Sequence, residues 1–381
     1  MIAACVSDYR ELARRRLPRI LFDYIDGGAY GERTLARNVA DFDRVLLRQR
    51  VMRDVSQISL ATELFGQSLS MPVALSPVGM AGAYARRGEG QAARAAAKAG
   101  VPFCLSSMSI CGLEEVARAA GPFWFQLYLI RDRGYMAELL AEAGRVGCPV
   151  LVFTVDLPVA GVRYRDVRSG ASGGGLGARL RTAFDGLAHP AWLWDVQVRG
   201  GPQTFGNLVK AIPEARGVND FWSWVKANFD PTITWADLEW VRAHWKGPIV
   251  VKGILDPEDA RDAVAAGADG LSVSNHGGRQ LDSVPSSIAA LPAIVDAVGD
   301  RTTVLLDGGV RSGLDVVKAM ALGAKGCLVG RAWAWALAAR GEAGVAHILD
   351  ILRAEMEVAL ALTGCTDVRK LSREVLAEGP A

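Results

Sequence analysis

Eight short apolar runs, most of them followed by an alanine-rich helical stretch, constrain this chain more than any other feature. The runs are PVALSP (72–77), VPFCLS (101–106), FWFQLY (123–128), PVLVFTVD (149–156), PIVVKG (248–253), DGLSVSN (269–275), TVLLDGG (303–309) and GCLVGR (326–331). Segments between them, such as EGQAARAAAKAG, DPEDARDAVAAGA and SGLDVVKAMALGA, place apolar residues at helical spacing and end near a glycine. Strands that alternate with helices pair in parallel, and runs apolar throughout are strands buried on both faces. Eight such units predict an α/β fold closed into a (β/α)8 TIM barrel. An open doubly wound sheet is the rival, but the glycine fingerprint that follows its first strand is missing.

Two stretches fall outside the repeat. Residues 1–70 are expected as a helical N-terminal cover, residues 71–156 and 248–381 as the barrel, all within one domain spanning 1–381. The connection 157–247 is far longer than a crossover helix needs, and connections of that length are usually functional. It opens with the glycine-rich SGASGGGLG, expected to be flexible, and runs on through HPAWLWDVQVRGGPQTFGNL and FWSWVKANFDP. Arg14-Arg15-Arg16 imitates a twin-arginine signal, but no apolar segment or small-residue cleavage site follows, so an amphipathic helix is expected. No uncharged run approaches the ~18 residues that span a bilayer. The formal net charge of +2 gives no reason to expect nucleic acid as a partner. Six cysteines without CxxC or metal-ligand spacing read as reduced, buried thiols, with no disulfide framework and no metal. The chain is expected to be made and folded in the cytoplasm.

Polar residues gather where the predicted strands end, which in such barrels is the functional rim. Ser76, Ser106, Gln126, Tyr128, Thr154, Asp156, Lys252, Ser274, His276, Asp307 and Arg331 close the eight runs between them. A purely structural barrel has no use for such a set, since each buried polar group there must find a partner. DGGVRSG (307–313) and GR (330–331) follow the last two strands, where backbone N–H groups and the arginines Arg311 and Arg331 suit a phosphate. Lys252 reads either as a Schiff-base lysine or as a positive charge beside an anionic ring system. SNHGGRQ (274–280) sets one of only four histidines beside two glycines that allow close backbone approach, with Arg279 three residues on. A base next to a guanidinium suits a substrate that carries an acidic or hydroxylic proton beside a carboxylate. Asp156 is placed to orient the other imidazole nitrogen, and Arg163 offers a second carboxylate partner. A lyase or isomerase of sugar phosphates with Lys252 as nucleophile, and a membrane-docking module whose barrel is inactive, stay open as rivals.

SNHGGRQLD (274–282) and MPVALSPVGMAG, YARRGE, FWFQLY, TVDLPVAGVRYRD and FDYIDGGAY resemble the FMN-dependent α-hydroxy-acid dehydrogenase and oxidase family over nearly the whole chain. Its bacterial respiratory, quinone-linked L-lactate dehydrogenase branch is the nearest in pattern. The resemblance implies FMN as cofactor and L-lactate as substrate, with mandelate, or glycolate and other 2-hydroxy acids through an oxidase, as the alternatives. It implies that Tyr24, Arg279 and Arg163 bind the substrate carboxylate, Tyr128 hydrogen-bonds the reacting oxygen, and His276 backed by Asp156 is the base. Pro77, Val78 and Gly79 would lie along the flavin, with Ser106, Gln126 and Thr154 on its polar edge, and Ser274 would also bind the cofactor. Lys252 would stabilise charge on the reduced flavin, and Asp307, Gly308, Gly309, Arg311, Gly330 and Arg331 would hold the ribityl phosphate. Gly79, Met108 and Val162 are expected around the substrate side chain. A homotetramer is implied as well.

The connection bears on the electron acceptor. Residues 163–229 carry nine Arg or Lys and five Asp or Glu, a net +4, together with Trp192, Leu193, Trp194, Phe221, Trp222 and Trp224. Cations and amphipathic rings suit the headgroup region of an anionic membrane. With the resemblance, this predicts a peripheral enzyme on the cytoplasmic face of the inner membrane that passes electrons to quinone.

Overall fold

The computed structural model describes residues 1–170, 176–212, 224 and 227–377. A short antiparallel hairpin, β1 (Thr62–Leu64) and β2 (Gln67–Leu69), precedes eight barrel strands. These are β3 (Val73–Leu75), β4 (Cys104–Ser106), β5 (Trp124–Leu127), β6 (Leu151–Thr154), β7 (Ile249–Ile254), β8 (Gly270–Val273), β9 (Thr303–Asp307) and β10 (Gly326–Val329). Neighbours in sequence pair in parallel throughout, and β10 pairs with β3. The remaining seam, between β3 and β4, is joined by a parallel bridge from Leu75 to Phe103, with the Leu75 N–H donating to Pro102 at 2.8 Å. The predicted (β/α)8 barrel is therefore the fold, and every predicted run contributes one strand.

The N-terminal segment departs from the helical expectation. Helices at Val6–Arg16, Arg19–Asp26 and Arg33–Ala40 are followed by a single 3-10 turn at Asp41–Arg44, after which the chain is extended and forms the β1–β2 hairpin. Phe65 and Gly66 turn it, both at positive φ (+52° and +74°), as a two-residue hairpin turn requires. Phe65 packs edge-on against Trp124, with centroids 5.7 Å apart, and Leu64 and Leu69 join Trp124, Val152, Val250 and Leu305 in the barrel interior. The hairpin thus plugs the N-terminal mouth, leaving the C-terminal ends of the strands as the open rim.

Helix Arg19–Asp26 and the turn after it lie across that open rim, since the carbonyls of Tyr24, Ile25 and Gly27 accept hydrogen bonds from arginines of the last strand-end loops. In the long connection the described helices are Tyr164–Ser169, Leu176–Leu187 and Pro190–Trp192, then a π-helical turn at Leu193–Val198 and, before β7, the helix Trp235–His244. Most of the glycine-rich piece, with Phe221 and Trp222, lies outside the described residues. Among the described residues no helix is long and apolar enough to cross a membrane.

Candidate active site

The site begins with a turn. After β8, His276, Gly277 and Gly278 all take positive φ, at +58°, +65° and +72°. Such a run is costly for any residue with a Cβ, and backbone held this way persists only when its surroundings enforce it. Two buried amides do so: Asn38 and Asn275 exchange reciprocal 2.8 Å hydrogen bonds, and Asn275 also accepts from the Gly278 N–H. A Cβ on Gly278 would stand 2.6 Å from the Leu35 nitrogen, so helix Arg33–Ala40 tolerates only glycine there. The turn points the His276 ring into the barrel mouth. Its Nδ1 lies 2.8 Å from Asp156 Oδ1 and its Nε2 3.4 Å from the Tyr128 hydroxyl. An ionised carboxylate can only accept, so Nδ1 carries the hydrogen and the Nε2 lone pair faces the cavity. Gln280 fixes Asp156 from behind by donating to its carbonyl at 2.8 Å. Burial pushes the His276 imidazole below its ordinary value despite Asp156, which keeps it neutral and basic near pH 7. Burial and the nearby Asp156 push the Tyr128 phenol far up, so it remains a donor.

Two guanidiniums flank the same opening. Arg279 lies over the Tyr24 ring at 4.8 Å and Arg163 at 5.9 Å, with Arg163 Nε donating to the Arg279 carbonyl at 3.3 Å. Arg279 donates to the carbonyls of Tyr24 and Gly27 at 2.5 and 3.0 Å. Burial, then repulsion from Arg279, pulls the Arg163 guanidinium below its ordinary value. Deeper in, Lys252 Nζ meets Asp307 Oδ2 at 2.7 Å and Ser274 Oγ at 3.0 Å. Ser76 and Ser274 also donate to Asp307. Burial opposes the Lys252 charge most strongly, yet Asp307 and Asp156 together hold the ammonium above its ordinary range. Asp307 is held low by the same contact against its own burial. Its carboxylate is therefore committed to Lys252 and two serines, while Gly308 and Gly309 of the same loop line the cavity.

Beyond β9 and β10, Ser312 and Asp315 form a capping box, with Asp315 accepting from the Ser312 and Arg311 N–H groups at 3.0 and 2.8 Å. Gly309, at φ +86°, leaves no room for a Cβ beside the Asn38 carbonyl. The Arg311 guanidinium lies over the Trp335 ring at 4.9 Å, and burial pushes it down to about 10. Arg331 donates to the carbonyls of Ile25, Gly277 and Gly27 at 3.0, 2.9 and 2.8 Å. Burial, then Arg279 and Arg311, push it well below its ordinary value. These buried cations are satisfied by carbonyls and stacked rings rather than by carboxylates, which is the electrostatic setting of an anion site. His276, Arg279, Lys252, Arg311 and Arg331 all line one cavity of about 1170 Å³.

A model of the family described as FMN-dependent dehydrogenase matches residues 13–378. The chain belongs to that family. Within it, the chain is 61% identical to an L-lactate dehydrogenase of Caulobacter vibrioides (strain NA1000 / CB15N), covering 99% of this chain and 98% of that one. An L-lactate dehydrogenase of Stenotrophomonas maltophilia (strain R551-3) is 56% identical, with both chains covered in full. Among solved structures, a monotopic membrane protein, (S)-mandelate dehydrogenase, superposes with a TM-score of 0.93 at 37% identity and full coverage of both chains. The protein is an FMN-dependent oxidoreductase.

The residues present fit that cofactor. Gln126 Nε2 and Thr154 Oγ1 are buried at strand ends without a partner among the described residues, two polar groups awaiting a heteroatom-rich edge. Pro77, Val78 and Gly79 form one wall of the cavity, and a Cβ on Gly79 would have only ordinary contacts, none under 3.4 Å. Lys252 brings positive charge to the same floor. The sequence reading missed Asn38, the Arg331–carbonyl contacts and Gln280. Only Gln280 had a local cue, its place next to the SNHGGR motif. Asn38 is 237 positions from Asn275, and nothing near it in sequence marks it.

Proposed function

We propose that this FMN-dependent dehydrogenase oxidises L-lactate to pyruvate and passes the electrons to membrane quinone from the cytoplasmic face of the inner membrane. The observation that carries the reaction class is the Asp156–His276 pair opening on the same space as Arg279, Arg163 and Tyr128. The guanidiniums take the carboxylate, and the Tyr128 hydroxyl donates to the substrate oxygen. His276 Nε2 accepts a proton, and Asp156 stabilises the imidazolium that results. When bound, FMN supplies the two-electron acceptor that no side chain can be.

Lactate as substrate is supported by the relatives at 55–61% identity that bear that activity in their names. Mandelate is the second reading, favoured by the likeness to (S)-mandelate dehydrogenase. Gly79, Met108 and Val162 all border the cavity, as expected of a side-chain pocket. Apolar pockets discriminate size weakly, so a panel is required. Under anaerobic conditions, L-lactate is expected to bleach the flavin faster than glycolate or (S)-mandelate. A faster bleach by mandelate overturns the substrate assignment. The homotetramer belongs to the same reading and is checked by sedimentation.

Membrane docking rests on one helix face. Leu180, Phe184 and Leu187 share one side of helix Leu176–Leu187 and are 51%, 69% and 63% exposed, with Trp194 and Val198 both 60% exposed on the following turn. An apolar ridge of this kind within a segment of net +4 suits an anionic bilayer surface. The tryptophans divide: Trp192 is buried and donates to the Ala83 carbonyl at 2.8 Å, and Trp224 is half-buried against the core, so Trp194 alone of the described ones faces outward. Wild type is expected to float with vesicles containing phosphatidylglycerol, whereas a Leu180→Ser, Phe184→Ser, Leu187→Ser triple variant stays behind with its flavin and lactate reduction intact. Flotation of the triple variant removes the ridge from the proposal.

A further inference from the structure

The cavity at the rim is larger than the ~300–1,000 Å³ of an ordinary ligand site. Part of its lining falls outside the residues assigned above to the cofactor and the hydroxy acid. Ile20 and Leu21 of helix Arg19–Asp26, with Thr182, Ala183, Trp192 and Gln203 of the long connection, line this part, called here the arm. Both walls of this arm are tied down. On one side, the Arg19 N–H donates to Asp185 Oδ2 at 2.6 Å, fastening the insert helix to the first turn of helix Arg19–Asp26. On the other, Trp192 donates to Ala83 at 2.8 Å, and the Tyr84 hydroxyl of the same loop donates to the Gly79 carbonyl at 3.1 Å. That wall is thus continuous from Gly79, beside the cofactor space, to Trp192. Asp195, one residue past the outward Trp194, is held by Arg16 at 2.8 Å and by the Arg86 N–H at 3.3 Å. The arm is mainly apolar and carries one unsatisfied polar group: Gln203 Oε1 is buried with no partner among the described residues. Its outer end adjoins the helix that exposes Leu180, Phe184 and Leu187.

We propose that this arm is the binding channel of the lipophilic quinone, which reaches the cofactor from the bilayer without crossing water. The inference rests on the quinone-linked reading above and adds a place to it. The hydroxy acid loses two electrons and two protons as its C–H and O–H bonds break. The quinone gains two of each as an O–H bond forms at both of its oxygens. Gln203 Oε1 accepts from the quinol hydroxyl so formed, and the apolar walls take the first isoprene units. Hydroxy acid and quinone therefore approach the cofactor from different sides.

The test fills the arm. Ala183→Trp, at an exposed position where a larger side chain fits without disturbing the core, is compared with wild type and Ala183→Ser, all as flavin-loaded protein. With long-chain ubiquinone in vesicles, the Trp variant is expected to lose at least tenfold in kcat/KM. Flavin reduction by L-lactate and turnover with a small water-soluble dye are expected to stay within twofold. An azido-ubiquinone probe is expected to label residues 19–26 or 190–198 of wild type and to lose that labelling in the Trp variant. Undiminished quinone turnover in Ala183→Trp, or labelling elsewhere, overturns the channel. Slowed flavin reduction by lactate overturns it too, since the arm then admits the hydroxy acid. A wild type that reduces dye but no quinone overturns the acceptor reading itself, whereas an insensitive Trp variant of a quinone-active enzyme overturns the channel alone.

Discussion

Replacing His276 by alanine is expected to leave the protein yellow and to lower turnover with L-lactate by about 10²–10⁴-fold. The imidazole makes no hydrogen bond to the loops after β9 and β10: its polar contacts are Asp156 and Tyr128. Cofactor retention should therefore survive. The sign of the pH dependence follows from the same contacts. Burial holds the imidazole below its ordinary value, against Asp156, so the base is unprotonated across neutral pH. The acid limb of kcat/KM should lie below pH ~6.5, where an unperturbed histidine titrates, and the profile should be flat from there toward pH 8. Stability changes in the same direction. A histidine with a depressed folded pKa binds more protons unfolded than folded, so its contribution is lost as pH falls and regained as pH rises. Turnover of the alanine variant within a few-fold of wild type, or an acid limb centred above pH 7, is incompatible with this role.

The eight strands were legible because each is buried on both faces, and a parallel strand with no wet side has no choice but to be apolar. The helices between them were legible from spacing and terminal glycines. What the local pattern missed is what depends on distance along the chain. The β1–β2 hairpin has three-residue strands, too short for alternation to show, and its Phe-Gly turn is a weaker signal than Asn-Gly. In the site, SNHGGR announced its base and guanidinium by proximity alone. The Asn38–Asn275 amide pair that holds the His276 turn joins residues 237 apart, and no periodicity encodes it. Tryptophan content likewise could not tell Trp192, a buried strut, from Trp194, an exposed one, because both lie on a single helical stretch and only its docking on Ala83 separates them.

Lys252→Met is expected to have the other large effect, and its pH dependence reverses that of ordinary acid unfolding. In the wild type, Lys252 and Asp307 are 5% and 9% exposed at their side chains and 2.7 Å apart. Removing one member of such a pair strands the other, at a cost of roughly 3–5 kcal/mol. The Asp307 carboxylate keeps only the Ser76 and Ser274 hydroxyls at 3.1 and 2.9 Å. In the wild type its folded pKa is depressed, chiefly by Lys252 against burial, so its stabilising contribution is present above the unfolded value of ~3.9 and lost as pH falls. Without Lys252, burial raises that pKa above the unfolded value. The carboxyl then contributes its full stability only below ~3.9 and loses it as pH rises through the folded value. The Tm gap between wild type and Lys252→Met should therefore be widest near pH 8 and narrow toward pH 5. The cofactor should also become harder to reduce, since the positive charge on the cavity floor is gone, and a redox titration should give a more negative midpoint. A Tm gap that widens toward acid would mean that Asp307 is not the stranded partner, and an unshifted midpoint would separate Lys252 from the cofactor.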